Sequence, residues 1–233
     1  MEEISIGKLI SEGWGIYKRN IKLFLTVALV IYLPMYILLL PFQSGLMRIW
    51  SIPITLLGLI GELAVIYIAK AQMDNSPIKL KEALSKAASR WWKAVYTNIL
   101  QGILLIFLYL LFIVPGIIYS VYWNFTLYAV ALKDKAGKNA MDFRKEIVKG
   151  RWWKVLGYAV VLGLVTLGAI ISVSILMVIL TSSLPKNIGN VLDSTVLSVV
   201  TSLFTVVWTV FFVKLSDGRP VEKITAQTAA APQ

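Results

Sequence analysis

The chain has 233 residues, of which 58% are hydrophobic and 15% charged, and its mean hydropathy is +0.77. A soluble domain carries about 25% charged residues, so the composition excludes that class. Cysteine and histidine are absent, which excludes disulfides, thiolate nucleophiles, imidazole acid–base catalysis and the usual zinc sites. The net charge of +11 favours contact with an anionic membrane surface over nucleic acid.

Six apolar runs approach or exceed the ~20 residues that a helix needs to cross a hydrocarbon core of about 30 Å. They cover residues 23–41, 49–69, 94–114, 116–132, 155–180 and 191–213. The runs are continuous and do not alternate with a period of two, which argues against a β-barrel. The sequence therefore predicts an all-α polytopic integral membrane protein with one domain over 1–215, followed by a disordered tail over 216–233.

The third and fourth runs are joined only by Val114, Pro115 and Gly116. Proline removes a backbone donor and glycine frees φ, so these residues predict a tight hairpin. The alternative is one kinked helix over 94–132, whose length of about 58 Å far exceeds a single crossing. Two crossings are the better interpretation.

The basic residues are divided very unequally between the two sides of the predicted bundle. Of 23 lysines and arginines, 21 fall on one side, and only Arg48 and Lys186 fall on the other. Basic connections remain in the cytoplasm. The sequence thus predicts a multi-pass protein of the cell (cytoplasmic) membrane with both termini in the cytoplasm.

A tetrapeptide, Arg-Trp-Trp-Lys, occurs twice, each time directly before a predicted crossing. Its copies are Arg90, Trp91, Trp92, Lys93 and Arg151, Trp152, Trp153, Lys154. Amphipathic patterns before crossings one, three and five predict interfacial helices. The motif is either an aromatic belt with snorkelling cations or a site for anionic lipid headgroups. We expect no nucleic-acid binding, because the bilayer occupies these aromatic side chains.

Several polar residues interrupt the predicted crossings at similar depth, and Glu62 is the only acid in the middle of one. The cluster consists of Glu62, Asn98, Gln101, Asn124 and Thr205. At 1.5 Å per residue they lie about 6–12 Å from the cytoplasmic ends of their helices. The cluster is either interhelical hydrogen bonding or a polar cavity for a proton, ion or lipid headgroup. Asp193, near the start of the last crossing, is expected to cap that helix.

Catalysis is not expected, because no second mid-membrane acid accompanies Glu62 and no predicted crossing contains a lysine or histidine. We also expect no cofactor and no metal. The sequence favours a membrane-organising, lipid-interacting or partner-binding role, with anionic lipids and a protein partner or a second copy of the chain as contacts. The alternative is a small transporter or channel with its polar site around Glu62.

A further indication comes from the stretch that begins Tyr122-Trp123-Asn124-Phe125 and continues through 129–134 and 149–157. It resembles the multi-helix membrane domain that is fused to some bacterial glycerophosphodiester phosphodiesterases. The same domain stands alone in many uncharacterised bacterial and archaeal membrane proteins. The activity of the fused proteins belongs to a separate soluble domain, so the resemblance implies a non-catalytic membrane module.

Overall fold

The computed structural model describes residues 5–42, 49, 51–111 and 113–217, and these residues form helices and turns without a strand. The α-helices, in chain order, are α1 Ile6–Arg19, α2 Ile21–Val27, α3 Leu33–Leu39, α4 Ser51–Met73, α5 Leu80–Leu111, α6 Ile113–Trp123, α7 Thr126–Lys133, α8 Gly137–Val148, α9 Trp152–Leu180 and α10 Lys186–Asp217. Arg48 lies outside the described residues, as does the predicted tail from residue 218 onward. The first two residues of that tail, Ser216 and Asp217, were predicted to be disordered but form the last residues of α10.

Five helical segments within the described ranges have the length and composition needed to cross a membrane. They are Ile21–Phe42, Ser51–Met73, Leu80–Leu111, Trp152–Leu180 and Lys186–Ser216. The protein is therefore all-helical and has the apolar helices of a membrane protein. Five of the six predicted crossings correspond to these segments.

The first of these segments is not a uniform α-helix. A π-helical turn, Ala28–Tyr32, separates α2 from α3, and a 3-10 turn, Leu40–Phe42, follows α3. Pro34 lies in the first turn of α3. Proline lacks an N–H group and its ring clashes with the carbonyl one turn earlier, which accounts for the widened turn before it.

The fourth predicted crossing, 116–132, corresponds to two short helices, α6 and α7, of 11 and 8 residues. The break falls at Asn124 and Phe125. Phe125 is fully buried, and its ring centroid lies 5.7 Å from that of Trp208 and 5.5 Å from that of Phe211. Aromatic packing against α10 thus accompanies the break in the helix. This fourth crossing, and with it the total of six, remains a prediction, because neither α6 nor α7 alone reaches the length of a crossing.

The predicted hairpin at Val114, Pro115 and Gly116 is wrong by a few residues. The helix of the third predicted crossing, α5, ends at Leu111. The next helix, α6, already begins at Ile113 and packs back against α5. The Pro-Gly pair therefore forms the first turn of α6. Proline is tolerated there because the first N–H groups of a helix have no intrahelical partner.

The expectation of a separate interfacial helix before the third crossing is also wrong, because α5 is one continuous helix of 32 residues. The segment before the first crossing is a separate helix, α1, that packs along α10. A Cβ atom added to Gly13 would lie 2.6 Å from Val207 Cγ2, so the two backbones approach closely. Tyr17 donates a hydrogen bond of 2.9 Å to the Val199 carbonyl.

The helix before the fifth predicted crossing, α8, is likewise separate, because Gly150 with φ +79° turns the chain before α9. It packs against α5, α6, α7 and α10. Its buried face includes Ala140, Phe143 and Ile147. The apolar faces of α1 and α8 therefore contact other helices of the protein.

Buried and exposed apolar residues occupy different parts of the long helices. The buried core is dense over 63–69, 127–131 and 206–215. Large apolar side chains are exposed repeatedly over 103–111 and 160–180. An exposed apolar surface of this extent must be shielded from water, and the lipid tails of a membrane shield such a surface.

Candidate functional site

Five helices form a closed ring. In this ring α4 packs against α5 and α10, α10 packs against α9, α9 packs against α6, and α6 packs against α5. Side chains from all five helices, and from α7, line an open cavity of about 510 Å³. We call this space the central cavity.

The structure brings all five predicted polar residues to the wall of the central cavity: Glu62 of α4, Asn98 and Gln101 of α5, Asn124 at the break between α6 and α7, and Thr205 of α10. Further polar lining comes from residues that the sequence analysis did not select. These are Ser120, Thr126, Tyr128, Thr166, Thr201 and Trp208.

Glu62 is the only carboxylate that lines the central cavity, and no lysine or arginine lines it among the described residues. The preceding residue, Gly61, lies against Tyr32: an added Cβ atom would be 2.7 Å from Tyr32 Cζ. The helix turn before Glu62 is therefore held closely against the first crossing. Within the described ranges, the side chains of Glu62 and Asn124 make no hydrogen bond.

One wall of the central cavity is supported by a buried arginine. Thr126 Oγ1 donates a hydrogen bond to Gln101 Oε1 and accepts one from Arg144 Nη1. Arg144 is 0% exposed, and its Nε donates to the Ala140 carbonyl at 2.7 Å. Its Nη2 has no hydrogen-bond partner in the part of the chain that the structure describes.

Sequence analysis missed Arg144, although its spacing was informative. Gly137, Ala140, Arg144 and Ile147 follow steps of three, four and three along one buried face of α8. An arginine in such a series is a candidate buried charge. Burial lowers the pKa of Arg144 from its ordinary value, and the nearby Asp142 carboxylate opposes part of that shift.

A second cavity, of about 470 Å³, lies between α3, α4 and the beginning of α10. We call it the Asp193 cavity. Its lining includes the polar residues Tyr36, Ser51, Thr55, Asn190, Asp193 and Ser194. The prediction that Asp193 caps a helix is wrong, because α10 begins at Lys186, after Pro185, and Asp193 is its eighth residue. Asp193 Oδ1 is buried and has no hydrogen-bond partner among the described residues.

The two Arg-Trp-Trp-Lys copies place their tryptophans in the same way. The first tryptophan of each copy is turned inward: Trp91 Nε1 donates to the Leu56 carbonyl at 2.8 Å, and Trp152 Nε1 donates to the Ile118 carbonyl at 3.4 Å. The second tryptophan points outward, since Trp92 is 69% exposed and Trp153 is 78% exposed.

The basic residues of the two copies differ in their contacts. Arg90 and Lys93 both form ion pairs with Asp134. Arg151 instead donates through Nη2 to the Leu215 carbonyl at 3.4 Å, and Lys154 is exposed. The described ranges contain no group of three acidic residues that could hold a metal ion.

Comparison with known proteins gives one match. A family model with the description "Domain of unknown function (DUF7847)" matches residues 80–215, which is more than half of the chain and includes α5 to α9 and most of α10. No curated protein and no solved structure matches the chain. The chain belongs to the family described as Domain of unknown function (DUF7847).

Proposed function

We propose that the protein is a non-catalytic small transporter or channel whose polar site is the central cavity around Glu62. The observation that carries this proposal is the convergence of polar side chains from five ring helices on one cavity of about 510 Å³. Cavities that bind small ligands have volumes of about 300–1,000 Å³.

The alternative explanation of the polar cluster, interhelical hydrogen bonding, requires the side chains to bond to one another. Gln101 does bond to a side chain of another helix, Thr126 of α7. Asn98 and Thr205, however, donate to carbonyl groups one turn earlier in their own helices, and the side chains of Glu62 and Asn124 make no hydrogen bond to a described residue. Polar groups that line an open cavity without protein partners favour a role in contacting a solute.

The proposal includes a topology. The protein crosses the cell (cytoplasmic) membrane six times, with α6 and α7 together making the fourth crossing and with both termini in the cytoplasm. Broken helices at membrane depth are tolerated where they line a cavity, and they contribute to solute sites in many transporters. Asn124 at the α6–α7 break lines the central cavity, which supports this arrangement.

The proposal is tested by solute-driven swelling of proteoliposomes, followed by light scattering. The solutes are glycerol, methylammonium chloride and sodium formate, which are neutral, cationic and anionic. We expect at least one of them to enter faster with the wild-type protein than with Glu62→Gln, while both proteins elute identically from a sizing column. Equal entry in wild-type, Glu62→Gln and protein-free vesicles contradicts the proposal.

A second candidate, a lipid-interacting and membrane-organising role, is favoured by the outward tryptophans Trp92 and Trp153. Indole rings concentrate at the headgroup level of membranes, and neighbouring cations attract anionic headgroups. Co-purified anionic lipid is expected to fall in Trp153→Ser combined with Lys154→Ser. Unchanged lipid retention would contradict this role. This candidate role includes binding of a protein partner or of a second copy of the chain. Kinship with the phosphodiesterase-linked membrane domains is part of the same proposal.

A further inference from the structure

The two cavities share an electrostatic property that the chain as a whole lacks. The protein has 23 lysines and arginines against 12 acidic residues. Yet each cavity is lined by one carboxylate, Glu62 or Asp193, and among the described residues neither is lined by a lysine or arginine. A fixed negative charge in a region of low dielectric constant attracts cations and repels anions.

The remaining polar lining consists largely of oxygen ligands. Hydroxyl or amide oxygens are supplied by Ser51, Thr55, Asn190 and Ser194 in the Asp193 cavity, and by Asn98, Thr166, Thr201 and Thr205 in the central cavity. Oxygen atoms are the ligands that replace the hydration shell of alkali cations in channels. The lining therefore suits a small monovalent cation.

The cavities lie one above the other along the same pair of helices. On α4, Thr55 lines the Asp193 cavity and Glu62 lines the central cavity. On α10, Ser194 lines the Asp193 cavity and Thr201 lines the central cavity. Each pair is seven residues apart, which corresponds to about 10 Å along a helix. The two helices pack together, so on each of them the residues that line the two cavities have the same spacing.

Met35 of α3 packs against α4 at a level between the two cavities. Met35 is 7% exposed, and its Sδ lies 3.1 Å from the position of a Cβ atom added to Gly58, with Tyr32 Cε1 at 3.8 Å from the same position. Along α4, Gly58 follows Thr55 by three residues and precedes Glu62 by four. The methionine side chain is flexible and fills irregular gaps, so it can leave such a position with little rearrangement of the backbone.

We infer that the interface between α3, α4 and α10 is a route for a monovalent cation, which passes between the Asp193 cavity and the central cavity when the Met35 side chain moves aside. This inference rests on the proposed function and specifies its substrate class, a second acidic site and the residue that closes the route. Glu62 and Asp193 stabilise the cation at the two ends, and Met35 blocks its passage in the present conformation.

The test measures potassium efflux from potassium-loaded proteoliposomes with a protonophore present to balance charge. Met35→Ala removes the blocking side chain, and Met35→Gln keeps its volume but makes it polar. The matched control is Met177→Ala on α9, because Met177 does not line either cavity. Sizing-column elution establishes that each variant is folded.

We expect either Met35 variant to raise potassium efflux at least about tenfold over wild type and over Met177→Ala, a factor that corresponds to ~1.4 kcal/mol in the barrier. Adding Asp193→Asn or Glu62→Gln should reverse most of that increase. Chloride efflux should not change.

Two results would overturn the inference. One is potassium efflux at the protein-free level in both folded Met35 variants. The other is an efflux that neither acidic substitution reduces. If wild-type vesicles still show Glu62-dependent entry of glycerol or another swelling solute, the proposed function stands and only the cation route is wrong.

Discussion

Lys93 Nζ lies 2.8 Å from Asp134 Oδ1, which joins the first Arg-Trp-Trp-Lys copy to the residue that directly follows α7. Arg90 contacts the same carboxylate. Asp134 adopts a left-handed conformation with φ 51°. The cations of this copy are therefore engaged with a protein carboxylate, which distinguishes it from the second copy.

Replacement of Asp134 by asparagine should remove this charge without disturbing the backbone, because asparagine also tolerates the left-handed region. Since the groups are partly exposed, we expect a loss of stability below about 1 kcal/mol, smaller at high salt. Thermal unfolding followed by tryptophan fluorescence at two salt concentrations measures it. Asp74→Asn, which breaks the local Lys70–Asp74 pair, is the control. A loss that salt does not reduce would contradict the electrostatic explanation.

The contact of Arg144 with Thr126 predicts a non-additive pair of substitutions. Thr126→Val leaves the buried Nη1 without this partner and should cost about 2–3 kcal/mol. Arg144→Met removes the buried charge at similar volume and should be neutral or stabilising. The double variant should be more stable than Thr126→Val alone, as measured by unfolding in detergent. Additive effects would show that the two side chains are not coupled.

The close approach of Tyr32 to Gly61 predicts the sign of two alanine substitutions. Gly61→Ala places a Cβ atom 2.7 Å from Tyr32 Cζ and should destabilise the protein by about 1–3 kcal/mol. Gly168→Ala in α9 meets nothing within 4 Å and should stabilise it by about 0.5–1 kcal/mol. Comparison of the melting temperatures checks both. If Gly61→Ala melts at or above the wild-type temperature, the contact is not tight.

The proposed topology predicts which lysines share a compartment. The chain contains no cysteine, so single cysteines can be introduced at Lys86, Lys145 and Lys186 without a background signal. A membrane-impermeant maleimide applied to intact cells should spare the first two positions and label the third. Labelling of Lys86→Cys and Lys145→Cys from opposite sides would contradict an even number of crossings.

Hydropathy was sufficient to predict the five long apolar segments, because one chemical property along the chain decides them. Counting 1.5 Å of rise per residue from the cytoplasmic ends of the predicted helices selected the five polar residues that the structure places around the central cavity. These features depend on position along single helices, which the sequence contains directly.

Features that depend on packing between helices were not predictable in the same way. The break at Asn124 and Phe125 accompanies the packing of the Phe125 ring against aromatic residues of α10, which are about 80 residues away in sequence. The continuous α5 shows the reverse case, since a change from polar to apolar residues did not end the helix. Asp193 is not a cap because α10 begins at Lys186, five residues before the apolar run over 191–213 that indicates the crossing.

The contact between α1 and α10 has a consequence for how the protein is made. Of the described helices, α10 leaves the ribosome last, and it covers the buried face of the one that leaves first. Until then Gly13 lacks its contact with Val207, and Tyr17 lacks its hydrogen bond to the Val199 carbonyl. The final architecture is therefore reached only after synthesis has passed Lys214, whose amine then pairs with the Glu12 carboxylate.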